Sequence, residues 1–292
     1  MLNPIILSSP LISSLLPSRK RDCNKGDFGK LLCVTSCSQM SGASILASSA
    51  ALRCGVGLCT VASVEGALFP LRAALPEAMT LPLKQNETGA ISSENTDMLL
   101  KYIEGCSAVL LGCGLSVCED TEKIVNNLIL NSQKPLIIDA DGINIVSKNI
   151  DILRNSYAPI ILTPHIKEMS RLCQKSVEEI KKNKEEIASN FAKDYGVTVI
   201  LKDFETVIAA ENGSLFKNLG GHPCMAKGGS GDMLSGMVAS FCAQGLSPEV
   251  SSQIAVYIHS KAGEICGSEL GDYSVLTSDM IKALPRVFCS LK

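Results

Sequence analysis

Tryptophan is absent and aromatic residues make up only 4% of the 292-residue chain, which leaves little material for the stacking platforms that grip single-stranded nucleic acid. Charge of one sign is also missing. The formal net charge is −2, so there is no basic footprint for DNA or RNA, and any field that attracts an anionic ligand must be local. Histidine is scarce, with His165, His222 and His259 the three in the chain. The 13 cysteines are an odd number, none forms a C-x-x-C pair, and the tightest spacing runs from Cys33 to Cys37. That excludes the usual zinc and iron–sulfur ligand patterns. A disulfide framework does not suit a chain this long and apolar, so the cysteines read as small buried hydrophobes in a reducing compartment, the cytoplasm. Apart from residues 1–16, no run approaches the ~20 apolar residues that span a bilayer. That first run lacks a basic start and is broken by Pro4 and Pro10. It reads as an N-terminal arm, residues 1–20, packing on the domain or on a partner subunit.

What is present is an apolar content of 46%, enough for a sizeable core. Short apolar runs alternate with helical patterns. Strands are expected at 31–35, 58–62, 79–83, 108–111, 135–138, 159–162 and 197–201. Residues 206–209 and 214–217 suit an antiparallel edge. Helices are expected at 42–54, 93–104, 120–130, 177–193 and 233–243, along the stripe Val250, Ile254, Ile258, Ala262, Ile265, and at 277–284. Strand–helix alternation implies a mostly parallel sheet with helices on both faces, and ligands at the carboxyl ends of its strands. No linker or repeat divides the chain, so a single α/β domain over residues 1–292 is expected.

The strongest candidate site is Ala226-Lys227-Gly228-Gly229-Ser230-Gly231-Asp232, directly before a helix. Free N–H groups and the dipole at a helix start favour an anion, and glycines let backbone approach a phosphate. The lysine precedes the glycines, so this is not a Walker A loop. Asp232 falls in the first helical turn. It could be a helix-start residue, or a base beside the anion hole. Gly112-Cys113-Gly114-Leu115-Ser116 follows a buried strand and is either a tight turn or a close backbone approach to ligand. In Thr163-Pro164-His165-Ile166-Lys167-Glu168, Glu168 could hold Mg2+ through water. Asp139-Ala140-Asp141-Gly142-Ile143-Asn144 either caps a helix or lines a polar cleft.

At these residues the sequence resembles the ADP/ATP-dependent NAD(P)H-hydrate dehydratase family, of ribokinase-like fold. The strings that carry the resemblance cover nearly the whole chain: KGDFGKLLCVTSC, SGASILASSAALRCGVGLCTVAS, LPEAM, DADGIN, LTPH with Glu168, AKGGSGDMLSGMVASFCAQGL, and Tyr257-Ile258-His259 with Ala262-Gly263. The resemblance implies repair of hydrated NADH and NADPH (NADHX and NADPHX), driven by ADP or ATP with Mg2+. The ring hydroxyl is phosphorylated and then leaves as phosphate. By the same resemblance Asp232 is the base, and Gly229, Ser230 and Gly231 form the anion hole. Ala43, Gly114 and His165 touch the hydrated dinucleotide. Lys202, Asp203, Phe204, Glu205, Thr206 and Gly231 contact the donor nucleotide. A homo-oligomer, of tetrameric form in the family, is implied as well. The sequence departs from the family pattern at Cys113 (usually Pro), Ser116 and Asp203 (usually Gly), Ile166-Lys167 (often Pro-Gly), and His222 and Cys224 (often Asn and Gly). Asp203 would add negative charge near the donor phosphates if it points inward. The rival activity is a vitamin-precursor kinase of the same fold, and a rival of another class is a nucleotide sensor without turnover.

Overall fold

The computed structural model describes residues 3–291. Ten strands form one sheet: β1 (Ile5–Ile6), β2 (Lys30–Val34), β3 (Leu58–Val64), β4 (Met79–Leu83), β5 (Ala108–Leu111), β6 (Leu136–Ile138), β7 (Ile160–Leu162), β8 (Thr198–Leu201), β9 (Thr206–Ala209) and β10 (Leu215–Asn218). Their order is β1-β10-β9-β8-β7-β6-β5-β2-β3-β4. Every pairing is parallel except those of β9, which runs antiparallel to both β8 and β10. The expected antiparallel pair is therefore present, but it is not the edge. The N-terminal arm supplies β1, which pairs outside β10 at Ile5 with Phe216 and Ile6 with Lys217.

The strands are apolar at nearly every position because both faces of the sheet are covered. Alternation then sends neighbours to opposite sides. Leu31 and Cys33 of β2 enter one core, with α1 (Ser9–Leu15), α2 (Ser41–Arg53) and the C-terminal helices; Leu32 and Val34 enter the other. The second core is packed by α4 (Thr96–Glu104), α5 (Glu119–Asn131), α6 (Asp141–Val146), α7 (Ile166–Cys173), α8 (Val177–Lys182) and α9 (Lys184–Tyr195). On the first face lie α10 (Ser230–Ala243), α11 (Pro248–Ser274) and α12 (Thr277–Ser290). The short helix α3 (Glu65–Ala74) contributes to both cores.

One topological feature positions the site. From β2 the chain builds outwards through β3 and β4, then returns to β5 on the other side of β2 and builds the opposite way. Loops leaving β2 and β5 therefore diverge, and a crevice opens at the carboxyl ends between them, where parallel sheets take ligands. The two loops are tied at its floor by Gly112 N–H donating to Val34 O and Ser36 N–H donating to Cys113 O.

Candidate active site

The string at 226–232 enters α10 as expected. Gly229 is the residue before the helix, with φ of 90°, and a Cβ there would also press to 2.4 Å from Leu46 Cδ1. Only glycine suits that position. Asp232 sits in the first turn. The N–H groups of that turn have no partners within the helix; Ser230 N–H donates to Lys227 O at 3.4 Å, and the helix packs against β5, β6 and β2. A Cβ on Gly231 would lie 3.3 Å from Lys202 Nζ and 3.6 Å from Asp139 Oδ2. Lys227 does not turn towards the anion hole. Its ammonium donates to the carbonyls of Tyr273 and Val275, while Thr277 Oγ1 donates to Gly228 O. These bonds pin the glycine loop to the junction of α11 and α12.

Asp232 is surrounded by charge. Burial pushes its carboxyl up to about 6, and the nearby carboxylate of Asp139 pushes the same way. Asp139 is fully buried and is paired with Lys202 Nζ at 2.8 Å. Burial alone would raise Asp139 and lower Lys202. Their mutual attraction, with Glu168 adding to it at Lys202, outweighs burial and keeps both charged. No side chain of Asp139-Ala140-Asp141-Gly142 caps α6: Asp141 Oδ2 instead accepts from Ser116 N–H at 2.8 Å, and Asp139 is buried against Lys202. Ala140 holds the sharp turn with φ of 49° and ψ of −115°, a strained conformation for a residue with a Cβ.

His165 and Glu168 form a capping box on α7. His165 Nδ1 accepts from Glu168 N–H at 3.0 Å, and Glu168 Oε2 accepts from His165 N–H at 2.8 Å. Burial keeps the His165 ring below its usual range, hence neutral, and raises Glu168. Glu168 Oε1 takes no part in the box. That oxygen lies 3.4 Å from His165 Nε2, and the residue is buried and does not line the cavity described below. His259 on α11 faces the same helix end, with Nε2 3.2 Å from Ser230 Oγ; burial pushes it down to about 4.

A cavity of about 680 Å3 opens beside the α10 N-terminus and is lined by His165, Lys202, Asp203, Phe204, Thr206 and Gly231 among others. That volume suits a nucleotide. Phe204 is 76% exposed at this cavity. Glu205 does not line it and instead pairs with Lys217. Asp203 does face the cavity, but Lys184 Nζ holds its Oδ2 at 2.9 Å, and the pair keeps Asp203 low in spite of partial burial. Ala43 and Gly114 lie away from this cavity and meet each other at the crevice between β2 and β5: a Cβ on Gly114 would come within 2.9 Å of Ala43 Cβ. Thr35 lies at the end of β2 in the same crevice, its Oγ1 buried and without a hydrogen-bond partner among the described residues. Sequence reasoning missed Thr35 and the partner role of Lys184. A lone threonine after a strand and a lysine inside a charged run carry no signal of their own.

A ten-stranded, mostly parallel sheet covered by helices on both faces, with a cavity beside the N-terminus of α10, defines an α/β protein of ribokinase-like fold. A ribokinase-like superfamily protein of Enterococcus faecalis superposes with a TM-score of 0.86 at 29% identity, covering 98% of this chain and 96% of that one. The chain belongs to the NAD(P)H-hydrate dehydratase family, whose model matches residues 31–286. The ADP-dependent (S)-NAD(P)H-hydrate dehydratase of Staphylococcus aureus is 34% identical over 291 residues, 98% of each chain. The ADP/ATP-dependent NAD(P)H-hydrate dehydratase of Bacillus subtilis, co-crystallised with ATP and Mg2+, gives a TM-score of 0.85 at 26% identity with all of both chains covered. The chain also matches longer bifunctional NAD(P)H-hydrate repair enzymes and spans about half their length, 55% of the one from Moorella thermoacetica at 33% identity. Among the described residues no helix is long and apolar enough to cross a membrane.

Proposed function

We propose that the chain dehydrates the S-epimer of hydrated NADH and NADPH, using ADP or ATP as phosphoryl donor, as a single-domain homo-oligomeric enzyme of the cytoplasm. The observation that carries this reading is the placement of Asp232. It is a carboxylate held near neutrality, at a helix N-terminus, between a nucleotide-sized cavity and the β2–β5 crevice.

The donor lies in the cavity with its terminal phosphate at the first turn of α10, where backbone N–H groups of Gly229, Ser230 and Gly231 meet the charge that develops in transfer. The hydrated nicotinamide enters from the Ala43–Gly114 side. Asp232 takes the proton of the ring hydroxyl as its oxygen attacks the terminal phosphorus, and the shortened nucleotide leaves. The new phosphate ester is a far better leaving group than hydroxide. The lone pair on the ring nitrogen expels it, a proton leaves the neighbouring ring carbon, and the dihydronicotinamide is restored. Lys202, fixed by Asp139, places a permanent cation beside Gly231 without being free to protonate the base. Mg2+, bound with the donor and steadied by Glu168 through water, would neutralise phosphate charge.

The test mixes the purified protein with hydrated NADH, Mg2+ and either ADP or ATP, and follows the absorbance of intact NADH. Recovery that needs one of the nucleotides is expected. No recovery with either, together with phosphorylation of a small alcohol, would replace the dehydratase with a kinase of the same fold.

A further inference from the structure

The cavity beside α10 follows the carboxyl edge of the sheet. His165 lines it after β7, Lys202 after β8, Thr206 at the β9 end of the turn and Asn218 at the end of β10, where Asn218 and Thr206 are paired neighbours. Its inner end is set at the first turn of α10, where Gly231 approaches Lys202 Nζ and Asp139 Oδ2, the residue that follows β6. Strands in a sheet lie about 4.8 Å apart, so the steps from β6 out to β10 span roughly 19 Å. An extended nucleoside triphosphate is of that length. With its terminal phosphate at α10, its base arrives beside β9 and β10, where Phe204 offers an exposed ring and Asn218, Gly220, Pro223 and Met225 form the wall.

At that outer end one polar atom is left over. Asn218 is only 3% exposed, and its Nδ2 donates to Gly220 O at 2.9 Å. Its Oδ1 accepts from no group among the described residues. Nor is it sealed in as Thr35 Oγ1 and Ser189 Oγ are, so it opens onto the cavity that the residue lines. The amide is held in this orientation, because turning it over would set Oδ1 against the Gly220 carbonyl. The nearby hydroxyls have spent their hydrogens: Ser260 donates to Tyr257 O at 2.9 Å and Thr206 to Asp203 O at 3.3 Å. The outer end therefore presents acceptors. A buried amide oxygen without a donor forfeits the hydrogen bond that water would give it. A phosphate brings only acceptors and cannot satisfy it. The neutral N–H of a base can.

We propose that Asn218 is a specificity-determining residue for the donor: its Oδ1 accepts a hydrogen bond from the exocyclic amino group of adenine. This rests on the donor lying in the cavity as described under the function above. A purine that carries a carbonyl in place of that amino group, hypoxanthine or guanine, brings an acceptor to Oδ1, and both oxygens are then left unsatisfied.

The experiment titrates the full chain, with Mg2+ present, with ATP, ITP and 2′-deoxy-ATP by calorimetry, in wild type, Asn218→Ala and Asn218→Asp. ITP carries a carbonyl where ATP carries the amino group. Wild type is expected to bind ATP about tenfold more tightly than ITP, and 2′-deoxy-ATP as tightly as ATP. Asn218→Ala should weaken ATP by about tenfold and leave ITP within about twofold, so the preference disappears. Asn218→Asp keeps an acceptor but cannot donate to Gly220 O, and should keep the preference. An asparagine that only ties the strand end to Gly220 would weaken ATP and ITP alike in both variants, and a constant ratio would overturn the proposal. So would equal binding of ATP and ITP by wild type, or a loss confined to 2′-deoxy-ATP, which would place Oδ1 at the ribose. Should Asn218→Ala not fold, the wild-type affinities for the three nucleotides decide by themselves. Binding needs no turnover, so wild type that fails to restore NADH while preferring ATP to ITP refutes the dehydratase and leaves the role of Asn218 standing.

Discussion

A base works best when its own proton affinity lies close to the working pH, and Asp232, the base we propose, meets that condition because it is buried beside another carboxylate. The rate should therefore depend on pH with a definite sign: kcat/KM falls as pH drops through about 6 and levels off above it. A limb near 4 would mean an ordinary exposed carboxylate does the work. The same burial has a cost in stability. The folded-state value of about 6 is raised above the ordinary 3.8, so the folded protein holds this proton more tightly than the unfolded chain. The destabilisation grows as pH rises from 3.8 towards 6 and is complete above that. Asp232→Asn should then slow turnover by ~10^2-fold or more and leave donor binding intact. It should also raise stability at pH 7 by about 2 kcal/mol, a gain that fades as pH falls from about 6 and is gone by pH ~4. Calorimetry at two pH values checks the last point; a variant no more stable at pH 7 than wild type would refute it. A second case is Asp203, which faces the cavity we assign to the donor yet is matched by Lys184. Lys184→Met should weaken donor affinity by about threefold to tenfold, and adding Asp203→Gly should restore it. Equal affinities in all the variants, by calorimetric titration, would place the pair outside the donor's field. Glycine, helix start and acid were legible in the sequence as one string at 228–232. The Lys184–Asp203 and Lys202–Asp139 pairs were not, because each joins residues far apart in the chain, and only strand order says which loops meet.

At the level of elements, the anion site depends on how closely α10 can lie on α2. The contact is made by small residues: a Cβ on Gly236 would sit 2.1 Å from Ala47 O, and the fully buried Ala47 and Ala51 line the facing helix. Gly236→Ala would force the two backbones apart, which costs about 1–3 kcal/mol. Because the N-terminus of the same helix carries Asp232, the shift should lower kcat more than it raises the donor KM. A loss of stability with normal kcat, seen in melting curves and kinetics on one preparation, would mean the helix end is set by its loop alone. The loop does have its own anchors in Lys227 and Thr277. Most elements were legible because continuous apolar runs mark strands covered on both faces. The exceptions have local causes. Helix α3 escaped notice since Pro70 stands inside it. The charged stretch 177–193 looked like one helix but breaks at Asn183, where φ is −130°, into α8 and α9. The last long stripe continues to Ser274 through a kink at Gly271.

At the scale of the molecule, one sheet of ten strands carries both cores, so neither core can be lost without exposing the sheet face of the other. The single-domain organisation read from the sequence should then show as one cooperative calorimetric transition. The N-terminal arm belongs to this unit. Its strand pairs with β10, Leu7 N–H donates to Lys217 O at 2.9 Å, and Ser13 Oγ donates to Leu291 O at 2.7 Å. Ile12 is fully buried in the core that holds α10 and α11. Burying one such side chain is worth about 1.5–3 kcal/mol. Deleting residues 1–16 should therefore lower Tm by ~5 °C or more. It also uncovers the β10 edge, whose free N–H and C=O groups invite pairing with another chain. Light scattering should show concentration-dependent association of the truncated protein beyond the size of the wild-type species, while Asp232 retains its pH limb because β1 pairs at the edge of the sheet, with β10, β9, β8 and β7 between it and β6. An unchanged Tm would assign the arm to a partner subunit. A lost pH limb would mean the sheet transmits strain from β10 to the site, and the site could then no longer be treated as independent of the edge.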